Sequence, residues 1–135
     1  MLKLREWIDI NKLNWNSLSQ NSNAIEILKQ NKKKINWDKL SRNLNAIELL
    51  EANKKKINWI QLSKNPNAIE LLKKNQDKID WILLSSNPNA IELLKENQDK
   101  INWWYFSSNS NIFTYDYKLM KETMKKSGIV EELTT

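Results

Sequence analysis

Apolar and polar positions follow a long period laid over a short one. Trp15, Trp37, Trp59, Trp81 and Trp103 stand 22 residues apart, and Leu40, Leu62, Leu84 and Phe106 follow the last four of them by three positions. A fixed step of this kind marks a tandem array of short units. The units run 13–34, 35–56, 57–78, 79–100 and, less regularly, 101–122.

Unit 57–78, INWIQLSKNPNAIELLKKNQDK, predicts two short helices. The first starts at Asn58, whose side-chain oxygen can accept an orphan N–H of the first turn. Ile57 before the cap and Leu62 after it have the spacing of a hydrophobic staple. The same arrangement recurs as Ile35/Asn36/Leu40, Ile79/Asp80/Leu84 and Ile101/Asn102/Phe106. Pro66 cannot continue this helix, and Asn65 before it is biased toward extended backbone. The second start reads at Asn67, with Glu70 at capping-box spacing. Asn23/Glu26, Asn45/Glu48 and Asn89/Glu92 repeat that pair. Ala68, Ile69, Leu71 and Leu72 then share one helical face. Asn75 stands where a left-handed C-terminal residue is expected.

Helices of one to two turns are unstable alone in water. The units must therefore stack, which predicts an all-α fold, an α/α solenoid of about five helix-turn-helix repeats, right- or left-handed. A leucine-rich repeat also suits a 22-residue unit, but Lys64, Gln20, Arg42, Ser86 and Ser108 fall where its pattern needs an apolar residue. Residues 1–12 read as an N-terminal cap and 13–112 as the array. Residues 113–135 read as a C-terminal capping helix, spanning about 112–126, followed by a tail. Within that tail, 129–135 resemble the start of a further helix.

Composition narrows the chemistry. The chain has no cysteine and no histidine, so it offers no thiol and lacks the commonest general base and metal ligand. The glutamate column Glu26, Glu48, Glu70 and Glu92 is accounted for by capping. With no paired acids in an evident pocket and no glycine-rich loop, the expectation is a non-enzyme without cofactor, metal or small-molecule substrate. No apolar run is long enough to span a bilayer, and residues 1–10 lack the apolar stretch of a signal peptide. That predicts an intracellular protein. The net charge of +6 suits solubility and only weakly favours acidic partners.

The unit is similar to the D/N-W-x-x-L-S-x-N-P-N-A-I-x-L-L-x-x-N-x-x-x-I repeat found in proteins of giant DNA viruses, especially the mimivirus-like group. The opening LREWIDINKLNW, the core SKNPNAIELL at 63–72 and the closing IFTYDYKLMKE at 112–122 carry the resemblance across residues 4–122. Proline stands at Pro66 and Pro88, but Ser22, Leu44 and Ser110 replace it elsewhere. The resemblance implies an all-α repeat fold and a viral source acting in the infected host cell's cytoplasm. It implies no activity and no catalytic residue.

Four features are candidates for function. The Trp column reads as a filler between copies, with a binding stripe as the competing reading; Trp104 and Tyr105 directly follow Trp103 and cannot all face inward. The columns Asn21/43/65/87/109 and Asn23/45/67/89/111 read as turn and capping residues, with a hydrogen-bonded ladder or base reading as alternatives. Lys32, Lys33 and Lys34 recur as Lys54, Lys55 and Lys56, a possible track for phosphates. That track turns neutral at Gln76-Asp77-Lys78 and Gln98-Asp99-Lys100, so solvated turns are the preferred reading. The positions that vary between units are Asp38/Lys39/Arg42, Ile60/Gln61/Lys64 and Ile82/Leu83/Ser86, with Ile82-Leu83-Leu84 as the most apolar stretch. The expected function is a non-catalytic protein-interaction scaffold whose partner contacts include Arg42, Ile60, Gln61, Lys64, Ile82, Leu83, Trp104 and Tyr105. The alternative is a nucleic-acid-binding repeat protein that uses the six lysines.

Overall fold

A computed structural model of the chain describes residues 1–128, and every regular element among them is helical. The first helices of the units are Trp15–Gln20, Trp37–Leu40, Trp59–Ser63, Trp81–Leu84 and Trp103–Phe106. The second helices are Ile25–Gln30, Ile47–Glu51, Ile69–Lys73 and Ile91–Lys95. A third element follows in each of the first four units, a single 3-10 turn: Lys32–Lys34, Lys54–Lys56, Gln76–Lys78 and Gln98–Lys100. The helix-turn-helix expectation lacked that turn. The solenoid itself is as expected.

The staple and first cap form as the sequence predicts. Asn58 is extended, and its side chain accepts from the N–H of Gln61. Ile57 and Leu62 both enter the core. Asn14, Asn36, Asp80 and Asn102 cap the other first helices in the same way. The core is a repeated set: Leu28/50/72/94, Leu40/62/84 and Ala24/46/68/90 lie buried in register through the stack.

Three sequence expectations fail for local reasons. The second helix is not capped by Asn67. Its cap position is Ala68, with no side-chain hydrogen bond, and Glu70 instead pairs with Lys73 at 3.3 Å. Asn75 is not left-handed: its φ is −137° and ψ 49°, and its Nδ2 donates to the Leu71 carbonyl at 2.8 Å, closing the last turn from the side chain. Proline does not set the end of the first helix. Pro66, Leu44 and Ser22 occupy equivalent places and each contributes only its carbonyl, which accepts from Asn89, Asn67 and Asn45. Any residue can supply that carbonyl, so proline is dispensable.

Two polar ladders join the units. Ser41 Oγ donates to the Trp37 carbonyl and accepts the N–H of Asn58 from the next unit at 3.0 Å. Asn65 Nδ2 donates back to the carbonyls of Ser41 and Asn43 at 3.1 and 3.0 Å, while its Oδ1 accepts from Asn67 N–H. Equivalent serine and asparagine bonds recur at the other three junctions. Thus the first asparagine column shapes a turn and also forms a ladder, and the second, Asn45/67/89/111, donates to the preceding unit. Among the described residues no buried polar side-chain atom lacks a partner. That completeness matters in so thin an array, because each unpaired group would cost about 1–3 kcal/mol.

The ends differ from the repeat. Residues 2–8 run against Leu18, Ala24 and Ile27 of the first unit, leaving a cavity of about 470 Å³. At the other end, unit 101–122 has no second helix. Ile112 stands where the preceding units place a buried alanine and is itself exposed. A 3-10 turn, Ser110–Ile112, takes its place, and residues 113–116 are non-helical. The terminal helix starts at Tyr117, not near 112, because Asp116 caps it by accepting from Leu119 N–H at 2.9 Å. All of residues 110–128 are exposed, so this helix does not cover the core. The expected helix start within 129–135 lies outside the described residues.

Candidate functional site

The hydrogen-bonded and apolar positions of each unit are committed to stacking. Among the exposed positions, those on the outward side of the first helices vary most in character between units. The residue after each tryptophan faces solvent: Asp38, Ile60, Ile82 and Trp104. These positions form a column across four units, and it changes character along the stack. Asp38 accepts from Asn58 Nδ2 at 3.0 Å and is thereby tied to the junction. Ile60, Ile82 and Trp104 are 54%, 49% and 87% exposed, an unpartnered apolar ridge over three consecutive units. Beside it, Gln61, Leu83 and Tyr105 form a second column, from half-buried to exposed.

The structure redistributes the predicted contacts. Ile60, Ile82 and Trp104 hold equivalent positions on the first helices of consecutive units, and Leu83 and Tyr105 stand one residue further on. Arg42 Nε donates to Gln61 Oε1, so those two are partly spent on each other. With Lys64 and Pro66 they border a shallow hollow of about 230 Å³. Ile82-Leu83-Leu84 is not one patch: Leu84 is fully buried in the core, so the apolar surface runs across units and not along the chain. Helical spacing explains this, since adjacent positions point some 100° apart.

The Trp column has a covering that the sequence reading missed. The last lysine of each 3-10 turn lies over the tryptophan that opens the same unit: Lys34 over Trp15 at 5.1 Å, Lys56 over Trp37 at 5.0 Å, Lys78 over Trp59 at 5.2 Å and Lys100 over Trp81 at 4.7 Å. The signal was present in the sequence, as lysine at a constant 19-residue offset from tryptophan. These four tryptophans are half-buried against the core. They are mortar on one side and lysine-capped on the other. Trp103 has Glu122 at that offset and is 61% exposed.

This geometry sets the size of a prediction. Trp59→Ala should cost about 2–3 kcal/mol, at or below the low end for a wholly buried aromatic. Lys78→Ala should cost about 0.5–1 kcal/mol through the lost cation–π contact. Urea melts of the two variants and their combination check this. A double variant no worse than Trp59→Ala alone would locate the lysine's contribution on the ring.

The basic turns divide in the same way. Lys34 and Lys56 engage tryptophan, whereas Lys32, Lys33, Lys54 and Lys55 are exposed without an acidic partner among the described residues. Lys54–Lys56 border a hollow of about 440 Å³ that also holds Glu51. The nearby ion pair Lys74–Glu51, 3.6 Å, links adjacent units. No helix of the described residues is long and apolar enough to cross a membrane. Compared with known protein families, curated proteins and solved structures, the chain has no match.

Proposed function

We propose that the chain is a non-catalytic repeat protein of viral origin that acts as a protein-interaction scaffold in the cytoplasm of the infected cell. The observation that carries the interaction reading is the exposed column Ile60, Ile82 and Trp104. The framework does not need apolar residues there, since Asp38 and Asn16 hold the same position in earlier units. Contiguous exposed apolar surface rimmed by polar groups is characteristic of protein-binding faces. Arg42, Gln61 and Lys64 supply that rim on one side, and Leu83 and Tyr105 extend the apolar part. The repeat signature of residues 4–122 supports the viral source.

Ile60→Glu combined with Ile82→Glu should leave the melting temperature within a few degrees of the parent, because both side chains are half exposed. The double variant should lose more than tenfold affinity for any partner that the parent captures from infected cells, a cost typical of replacing central contacts. Capture by the parent and the double variant with equal affinity would remove the column from the interface.

A second reading rests on Lys32, Lys33, Lys54 and Lys55, four uncommitted cations on adjacent turns. Binding to mixed-sequence DNA or RNA should then weaken with salt, at a log–log slope of about −3 to −4 for four phosphates contacted. Substituting all four by glutamine should abolish that slope. Absence of binding at low salt would eliminate the reading.

A further inference from the structure

We propose that the chain associates with a second copy of itself end to end, the last unit of one copy receiving the first unit of the next. This inference rests on the junction hydrogen bonds and is independent of the exposed column above. In the serine and asparagine ladder bonds of each internal junction the earlier unit supplies acceptors and the later unit donors; the Arg42–Gln61 bond, between exposed side chains, runs the other way. For units 35–56 and 57–78 the acceptors are Ser41 Oγ and the carbonyls of Ser41, Asn43 and Leu44. The donors are Asn58 N–H and the side-chain amides of Asn65 and Asn67.

Among the described residues, both halves of this pattern recur without their partners at the ends of the stack. Unit 101–122 repeats the acceptor set as Ser107 Oγ and the carbonyls of Ser107, Asn109 and Ser110. Among the described residues, the only hydrogen bond these four receive comes from Ile112 N–H to Asn109, at 3.4 Å. Asn14 N–H and the Nδ2 groups of Asn21 and Asn23 repeat the donor set. None of them has an acceptor among the described residues, and all three residues are exposed. Trp103, in edge-to-face contact with Phe106 at 5.5 Å, is more exposed than its counterparts, and among the described residues no further unit packs beyond it.

The complementarity is polar in direction. Two C-terminal faces would set acceptors against acceptors, so like ends do not pair. A contact between unlike ends of identical copies leaves one free end of each kind, so it extends head to tail into short filaments unless the rotation closes a ring. Residues 2–8 lie over the apolar part of the first unit and must move aside. That displacement makes the association weak and concentration-dependent.

Sedimentation of the full chain from ~10 µM to ~1 mM, the range of weak reversible contacts, tests this. Ser107→Arg and Asn23→Arg each place a charge on one end, at exposed positions. The parent should show a weight-average mass that rises past that of a dimer. Each variant alone should stay monomeric with an unchanged melting temperature, and an equal mixture should form dimers and nothing larger. If Ser107→Arg alters melting, Ser107→Gln takes its place. A parent that stays monomeric throughout overturns the proposal. So does an Asn23→Arg variant that still dimerises alone, because pairing would then be between like ends.

Discussion

Asn65→Ala is expected to lower the unfolding free energy by about 2–4 kcal/mol, a large share of the stability of a chain this size. The amide of Asn65 is buried and joins three partners: it donates to the carbonyls of Ser41 and Asn43 and accepts from Asn67 N–H. Alanine leaves the two carbonyls of the preceding unit without this donor, in a place water reaches poorly. Asn65→Asp should be at least as damaging near neutral pH, although its shape is unchanged. One oxygen can still accept from Asn67, but the other now faces two carbonyl oxygens. Burial and those oxygens raise the folded-state pKa of the introduced carboxyl above its unfolded value of about 3.9. The variant therefore binds more protons folded than unfolded, and its stability should fall as pH rises from about 4 through the raised value. Asn21→Ala provides the internal control. Asn21 has no preceding unit to donate to and only shapes its own turn, so its loss should cost about 1 kcal/mol or less. Urea melts of the three variants check the series. Equal costs for Asn65→Ala and Asn21→Ala would mean that the ladder contributes nothing between units.

What was legible in the sequence is what a single unit determines within itself. The staple Ile57/Leu62, the cap at Asn58 and the apolar face of Ala68, Ile69, Leu71 and Leu72 all act over a few residues, and the structure keeps them. Bonding between units is legible only as the alternative ladder reading of the asparagine columns, without its partners. Asn67 has capping-box spacing to Glu70, yet its amide reaches Leu44, 23 residues back, and that bond fixes its orientation. Local rules cannot weigh a partner one period away. The same limit applies to the lysine over each tryptophan, 19 residues apart in sequence. Asparagine can end a helix in two ways, by a left-handed backbone or by a side-chain amide on the last carbonyl, and Asn75 takes the second, which its position alone does not distinguish from the first. The candidate surface was legible as a set of variable positions. Its division into an apolar column and a buried Leu84 required the rotation of each short helix to be known.

Leu72→Ala should be the most damaging apolar truncation, at about 3–5 kcal/mol. Leu72 is fully buried in a central unit, so its truncation leaves a cavity at the heart of the stack. In an array whose units contact only their neighbours, stability is the sum of unit terms and junction terms. No helix among the described residues is long enough to persist alone, so the unit terms are unfavourable and the junctions hold the fold. A central defect should therefore loosen the junctions on both sides. Amide exchange in Leu72→Ala should accelerate in units 35–56, 57–78 and 79–100 together. Phe106→Ala alters the last unit, where one junction exists and the ring is already half exposed. It should cost less and accelerate exchange only beyond about residue 90. If Leu72→Ala and Phe106→Ala loosened the same residues to the same extent, the stack would be unfolding as one indivisible body, and the open C-terminal face would not be the weak end that the junction bonds imply.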